Sequence, residues 1–133
     1  RLIISKHASA VRFKMNGSLT THVLDTARGV PAKGIEIMLY RLSGNAHSKI
    51  AETVTNADGR TDEPILPKEK FKIGSYELVF KVGNYLQKNG LVDADAETLF
   101  LDQIPIRFGM TGDDHYHVPL LLSPYGYSTY RGS

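Results

Sequence analysis

The sequence predicts an all-β sandwich, and three observations support this fold class. Short runs that alternate apolar and polar residues recur along most of the chain, and each has the length of one strand. Turn-forming Gly, Pro, Asn and Asp residues separate these runs. Residues 84–89 follow a strand but lack the alternation, and a short helix is predicted there. Many short strands joined by such turns are typical of a β sandwich.

Three strands are predicted in the first half of the chain, at residues 19–24, 35–42 and 49–55. Glycines and a proline make residues 25–34 a loop, and residues 43–47 form another. The sequence Asn-Ala-Asp-Gly at residues 56–59 is a strong signal for a tight turn, from which Arg60 emerges.

The second half begins with a turn-rich segment, residues 62–72, where two prolines allow at most a short edge strand. Longer strands follow at residues 75–82, 104–110 and 115–122. The first of these alternates most clearly and places Tyr76, Leu78 and Phe80 on one face. Pro105 suits a strand at the edge of a sheet. A Ser-Pro turn then leads into a final strand.

At 133 residues the chain is expected to form one domain with a sizeable core. Residues 1–18 show no sustained period, so we expect an extension or linker ahead of a domain at residues 19–133. The first residues resemble a peroxisomal targeting sequence that begins with Arg-Leu, although the histidine comes one position too early. A cytoplasmic location is expected, while peroxisomal and periplasmic locations stay open.

Composition excludes several classes of protein. The chain has no cysteine, which rules out disulfides, thiolate nucleophiles and Cys-ligated zinc. The net charge of +2 comes from scattered Lys and Arg residues, so nucleic acid is not an expected partner. No apolar run reaches the length of a membrane span, so no membrane partner is expected either. Phosphate-binding loops and the GxSxG and HExxH motifs of hydrolases are also missing.

Three histidines are the first candidates for chemistry. His115 and His117 stand two positions apart on a predicted strand, so both imidazoles project from one face. Together with His22 they could form a three-imidazole zinc site. Alternatively, one or two of them transfer protons, because imidazole titrates near neutral pH. A purely structural role is the third interpretation, and spacing alone does not separate the three.

Two further features indicate a site. Arg60 follows the tight turn, where its guanidinium could bind carbonyl oxygens, although an ordinary surface arginine is the simpler interpretation. The chain ends on the polar tetrapeptide Tyr130-Arg131-Gly132-Ser133 directly after a strand. Frayed residues are usual at such a place, so we interpret this tetrapeptide as one wall of a site.

Four segments resemble the transthyretin-related family of 5-hydroxyisourate hydrolases. They are TTHVLD at residues 20–25, NADGR at 56–60, HYHVPLLLSP at 115–124 and YGYSTYRGS at 125–133. The resemblance runs from about Leu19 to the last residue, and the ending Tyr-Arg-Gly-Ser is its most specific mark. Transthyretin itself shares the Leu-Leu-Ser-Pro-Tyr run but lacks this ending and these histidines. Loops 43–48 and 91–98 look longer than expected for the family.

The resemblance implies a sandwich of two four-stranded antiparallel sheets with one short helix. It also implies a homotetramer, a dimer of dimers, whose sites lie in a central channel at the dimer–dimer interface. The implied reaction is hydrolysis of 5-hydroxyisourate, the product of urate oxidation, to 2-oxo-4-hydroxy-4-carboxy-5-ureidoimidazoline in purine catabolism. Neither a cofactor nor a metal is expected.

Roles for individual residues follow from the same resemblance. His22 and His117 are the implied catalytic histidines, Arg60 the substrate-binding arginine, and the terminal tetrapeptide closes the pocket. We expect His117 to deprotonate water while His22 orients the water or passes the proton to the leaving nitrogen, and the reversed assignment stays open. Ser133 is expected to hydrogen-bond the water or substrate rather than act as a nucleophile. His115 is given no catalytic role.

Two other functions stay open at this point. A transthyretin-like protein could carry a small ligand without catalysis, but a channel for an apolar ligand would be lined with fewer polar residues. A metal-dependent amidohydrolase could use the histidines as ligands. A chelator separates that possibility from a metal-free hydrolase.

Overall fold

The computed structural model describes residues 15–133, which form two four-stranded sheets packed face to face. The elements are β1 (Ser18–Asp25), β2 (Val30–Pro31), β3 (Glu36–Ser43), β4 (Ala46–Val54), β5 (Gly74–Lys81), α1 (Gly83–Lys88), β6 (Gln103–Met110), β7 (His115–Ser123) and β8 (Gly126–Thr129). The predicted all-β class, with two four-stranded sheets and one short helix, is confirmed. The peroxisome-like sequence and most of the predicted extension lie outside the described residues.

Sheet 1 has the strand order β2-β1-β7-β8, and sheet 2 has the order β4-β3-β5-β6. The expectation that both sheets are antiparallel throughout needs one correction, because β1 runs parallel to β7. All of sheet 2 lies between these two strands in the sequence, and only a long connection of this kind allows parallel pairing. β6 is an edge strand, which is where its proline was predicted to fit.

The core lies between the two sheets and follows the alternation of the sequence. Tyr76, Leu78 and Phe80 of β5 are fully buried, as their shared face predicted. Leu120 and Leu122 of β7 approach them from sheet 1 as part of the same apolar cluster. Burial of side chains of this size contributes about 1.5–3 kcal/mol each. This core fixes which residues of β1 and β7 must face outward.

Two connections differ from the predictions. β2 lies within the predicted loop 25–34, and the sequence did not indicate it because two residues are too few to show alternation. The loop predicted at 43–47 is a tight turn around Gly44 (φ 58°), so β4 begins at Ala46. Residues 62–72 contain a 3-10 turn and a single bridge, from Leu66 to Leu19, which agrees with the prediction of at most a short edge strand. Within residues 15–133, no helix is long and apolar enough to cross a membrane.

Candidate active site

The outer face of sheet 1 carries candidate residues on two adjacent strands. Alternate residues of β1 face the core, which leaves Thr20 and His22 on the outer face. The parallel register sets Thr20 opposite His117 and His22 opposite Pro119 on β7. The ring centroids of His22 and His117 lie 6.5 Å apart. Strand pairing therefore brings together two imidazoles from opposite ends of the chain.

The turn at residues 56–59 brings Arg60 to the same face. The side-chain oxygen of Asn56 accepts the backbone N–H of Arg60 at 3.2 Å, and Gly59 accepts the N–H of Val23 at 2.8 Å. Gly59 has a φ of 74°, and a Cβ there would collide with the carbonyl oxygen of Val23. A bridge between His22 and Arg60 completes the contact. The predicted turn thus positions the predicted arginine.

The end of the chain lies against β7. The N–H of Gly132 donates to the carbonyl oxygen of His117 at 2.7 Å. A Cβ on Gly132 would be 2.7 Å from Cδ2 of the His117 ring, so glycine is needed for this close approach. Tyr130 and Ser133 line the same groove as the histidines. The terminal segment therefore forms one wall of this groove.

Arg131 is the member of the tetrapeptide that does not line the groove. Its guanidinium carbon lies 4.2 Å from the centre of the Tyr116 ring, and its Nη2 donates a long bond of 3.5 Å to the carbonyl oxygen of His115. The assignment of Arg131 to substrate binding stays a prediction. In this position Arg131 holds the terminal segment against β7.

The groove has a volume of about 580 Å³, which suits a small flat molecule. No carboxylate side chain lines it. Its lining residues are Thr20, Thr21, His22, Leu24, Arg60, Thr61, Pro64, His115, His117, Pro119, Tyr130, Gly132 and Ser133.

His22 and His117 favour the neutral form. Burial lowers the pKa of His117 below its ordinary value, and the charge of Arg60 lowers it further, with smaller effects from His115 and His22. Burial and then Arg60 also lower the pKa of His22, against an opposing effect of Asp58. The two imidazoles are therefore available as proton acceptors at neutral pH.

Hydrogen bonds determine which ring nitrogens are available. Nε2 of His22 lies 2.9 Å from the carbonyl oxygen of Asp58. A carbonyl can only accept, so this nitrogen carries the proton and Nδ1 has the lone pair when the ring is neutral. In His117, Nδ1 bonds the Thr20 hydroxyl at 2.8 Å, and no described residue bonds Nε2. Each ring thus keeps one nitrogen without a protein partner in the described part of the chain.

The histidines are not arranged as the alternative zinc site requires. In the part of the chain that the structure describes, no three His, Cys, Asp or Glu side chains come together to hold a metal ion. The ring centroids of His115 and His117 lie 6.4 Å apart, and the Thr20 hydroxyl lies between the two rings, bonded to both. The geometry therefore favours proton transfer over metal binding.

Comparison with known proteins defines the family. A family model described as HIUase/Transthyretin matches residues 19–132. A 5-hydroxyisourate hydrolase of Mesorhizobium japonicum is 58% identical over 117 residues, which cover 88% of this chain and 93% of that protein. The chain belongs to the HIUase/transthyretin family. The resemblance found in the sequence is thereby confirmed.

Two solved structures are similar to this chain over most of its length. An (S)-allantoin synthase superimposes with a TM-score of 0.81 at 43% identity, covering 98% of this chain and 50% of that one, so this chain spans half its length. Sea bream transthyretin in complex with thyroxine superimposes with a TM-score of 0.75 at 26% identity, over 86% of this chain and 94% of that one. The chain is thus far more similar to the hydrolase than to this thyroxine-binding relative.

Sequence reasoning missed several residues that line the groove, and Thr20 is the one with the clearest signal. Thr20 lies two positions before His22 on the same face of β1, so alternation could have placed it in the site. His115 was given no catalytic role, and it lines the groove and bonds Thr20 at 3.1 Å. Pro119 also lines the groove, opposite His22.

Proposed function

We propose that this groove is the active site of a 5-hydroxyisourate hydrolase. The observation that carries the proposal is that two neutral imidazoles and one guanidinium meet in a groove without an Asp or Glu side chain. Such a site can activate water and stabilise an oxyanion at neutral pH. The 58% identity to a 5-hydroxyisourate hydrolase supports the same substrate.

The reaction opens an activated acyl–nitrogen bond in the six-membered ring of the substrate. His117 takes a proton from water at Nε2, and the water oxygen bonds to the carbonyl carbon. The carbonyl oxygen becomes an oxyanion, and the carbon–nitrogen bond then breaks. His117 returns the proton to the leaving nitrogen, directly or through His22. The free Nδ1 of His22 is suited to orienting the water by accepting its second hydrogen bond.

Arg60 stabilises the charge that develops on the carbonyl oxygen. Its planar guanidinium offers fixed donors, and no described residue accepts a hydrogen bond from it. The turn holds its backbone against β1, so little reorganisation is needed when substrate binds. Tyr130 and Ser133 hold the edge of the ring and the water from the terminal side of the groove.

The active protein is a homotetramer, a dimer of dimers with the grooves at the dimer–dimer interface. The groove is open on the outer face of sheet 1, and Tyr130, which lines it, is 58% exposed. Exposed aromatic side chains of this kind are typical of surfaces that another chain covers. Light scattering should give four times the mass of one chain, and the mass of a monomer would contradict this assembly.

Ultraviolet spectroscopy tests the activity directly. Urate oxidase generates 5-hydroxyisourate, and the absorbance of this product is followed with and without the protein in the presence of a chelator. We expect the protein to accelerate the decay, and His117→Asn to reduce the acceleration roughly 100-fold or more. Loss of activity on chelation would indicate a metal enzyme instead. Binding without acceleration would indicate a carrier.

His47→Asn is the matched control. His47 is a half-exposed histidine bonded to Glu77 on sheet 2, outside the groove. This variant should keep the wild-type rate, and circular dichroism should show that both variants are folded.

A deletion of residues 131–133 should abolish turnover without unfolding the protein. Gly132 and Ser133 line the groove, and none of the three residues belongs to the apolar core.

A further inference from the structure

A line of hydrogen bonds runs along the outer face of sheet 1 and ends at His117. Ser18 Oγ lies 2.9 Å from Nδ1 of His115, and Nε2 of His115 lies 3.1 Å from Thr20 Oγ1. The same Thr20 oxygen lies 2.8 Å from Nδ1 of His117. The two rings are nearly parallel, with an interplanar angle of 17°.

The strand register produces this arrangement. Ser18 lies opposite His115, and Thr20 lies opposite His117, in the parallel pair of β1 and β7. Side chains two positions apart on a strand share a face, so all four groups project outward together. Each histidine is flanked by a hydroxyl from the neighbouring strand. The line is therefore a feature of two paired strands and not of one flexible loop.

The single proton of the Thr20 hydroxyl couples the two histidines. The hydroxyl can donate to one ring nitrogen only, and the other nitrogen must then donate to it. Nε2 of His117 is a base only when Nδ1 carries the proton, which requires Thr20 to accept from His117 and donate to His115. Nδ1 of His115 then donates to Ser18. One hydrogen-bond direction thus makes His117 competent as a base.

We propose that Thr20 and His115 are positioning residues that hold the proton of His117 on Nδ1 and carry positive charge away from the groove. The proposal rests on the function proposed above. When Nε2 of His117 takes the proton from water, its Nδ1 proton moves to Thr20, and the hydroxyl proton of Thr20 moves to Nε2 of His115. His117 and Thr20 are then neutral and His115 is an imidazolium. The three shifts reverse when Nε2 gives its proton to the leaving nitrogen.

The surroundings of the two rings favour this direction of charge transfer. His117 is half-buried and faces Arg60, His22 and His115, with Tyr130 on the terminal segment, and no Asp or Glu side chain lines the groove. Burial and the charge of Arg60 make a positive charge on His117 unfavourable. In a single chain His115 is more exposed than His117, so an imidazolium at His115 loses less hydration. The lowered pKa of His117, which burial and the charge of Arg60 cause, agrees with an unfavourable positive charge on that ring.

Nitrogen NMR of protein labelled with ¹⁵N-histidine tests the proton position without relying on turnover. We expect His117 to carry its proton on Nδ1 in the wild type and on Nε2 in Thr20→Val, which keeps the shape of the side chain but removes the hydroxyl. Thr20→Ser should restore the Nδ1 proton. A wild-type His117 protonated on Nε2, or no change in Thr20→Val, would overturn the proposal.

Kinetics of the same variants test the consequence for catalysis. Thr20→Val should lower kcat by about tenfold or more with little change in KM, and Thr20→Ser should recover most of the loss. His115→Gln can accept the Thr20 bond but cannot take its proton, so it should keep the His117 tautomer and lower kcat. An unchanged kcat in His115→Gln would overturn the charge transfer. If the wild type shows the Nδ1 proton but does not hydrolyse 5-hydroxyisourate, the hydrogen-bond line stands and the proposed function fails.

Discussion

The outer faces of the two sheets carry the same kinds of side chain with opposite results. On sheet 2, His47 Nε2 bonds Glu77 Oε1 at 2.7 Å, and Arg107 Nε bonds Glu77 Oε2 at 2.8 Å. On sheet 1, the groove contains histidines and an arginine but no carboxylate side chain. The carboxylate of sheet 2 uses the donors of its neighbours. On sheet 1 the donors of the Arg60 guanidinium are left for a ligand, and His22 and His117 each keep one ring nitrogen without a partner among the described residues.

Titration behaviour follows the same division. Hydrogen bonds from Arg107 and then from His47 lower the pKa of Glu77 below its ordinary value, so this carboxylate is ionised and paired. Burial and the charge of Arg60 lower the pKa of His22 and His117, so these imidazoles are neutral and form no ion pair with a described residue. The Glu77 carboxylate therefore makes the cluster on sheet 2 structural, while the groove on sheet 1, which has no carboxylate side chain, keeps its imidazoles reactive.

The largest difference between the two sheets is expected in turnover, when Arg60 or Arg107 is replaced by glutamine. Arg60→Gln removes the donors for the oxyanion, and we expect turnover of 5-hydroxyisourate to fall roughly 100- to 1,000-fold. Arg107→Gln is the matched control on sheet 2, and it should keep the wild-type rate while weakening the Glu77 cluster. Equal losses of rate in both variants would contradict the assignment of Arg60.

Glu77→Gln should affect stability and not activity. The Glu77 side chain is 8% exposed and accepts two charge-assisted bonds, so we expect a loss of about 1 to 2 kcal/mol in the free energy of unfolding by urea. Because the folded protein lowers the pKa of Glu77, its contribution is present above the ordinary value of 4.5 and disappears as the pH falls through the folded value. The difference between variant and wild type should therefore shrink in acid.

Glu52→Gln is the control for this stability measurement. Glu52 pairs with Lys49 at 2.8 Å on the same sheet, but both side chains are about half exposed. Such a pair contributes little, so the urea midpoint should stay at the wild-type value. A midpoint shift as large as that of Glu77→Gln would show that burial is not what distinguishes the two carboxylates.

Local pattern was sufficient to predict most of the fold. The alternation of Tyr76, Leu78 and Phe80 correctly indicated the buried face of β5. The parallel pairing of β1 with β7 has no local signal, because it depends on how the chain returns from sheet 2. β2 depends on the same kind of information, since its two residues are recognised only by their pairing with β1.

The candidate site shows the same limit. His22, Arg60 and His117 were predicted from a resemblance, and the structure brings them to one groove. The bond between Thr20 and His115 joins residues 95 positions apart, so it could not be found without the register of β1 and β7.

Two glycines provide a subtler test of the difference between the sheets. Gly132→Ala adds a Cβ 2.7 Å from Cδ2 of His117, so the ring or the terminal segment must shift, and we expect turnover to fall roughly tenfold. Gly109→Ala on β6 of sheet 2 adds a Cβ into open space and should leave the rate unchanged. Wild-type turnover in Gly132→Ala would show that the terminal segment can move without affecting His117.

The smallest expected effect concerns the pKa values of the groove histidines. Proton NMR titration should give pKa values for His22 and His117 below the ordinary 6.5. Arg60→Gln should raise both, because it removes a nearby positive charge, but burial should keep them below 6.5. Arg107→Gln should change neither of the two pKa values.

The same pKa values affect stability. Because the unfolded chain binds protons at His22 and His117 more readily than the folded chain, these histidines reduce the free energy of unfolding as the pH falls through 6.5. Arg60→Gln should lessen that reduction. Unshifted pKa values in Arg60→Gln would mean that burial alone keeps the imidazoles neutral, and that Arg60 serves the oxyanion only.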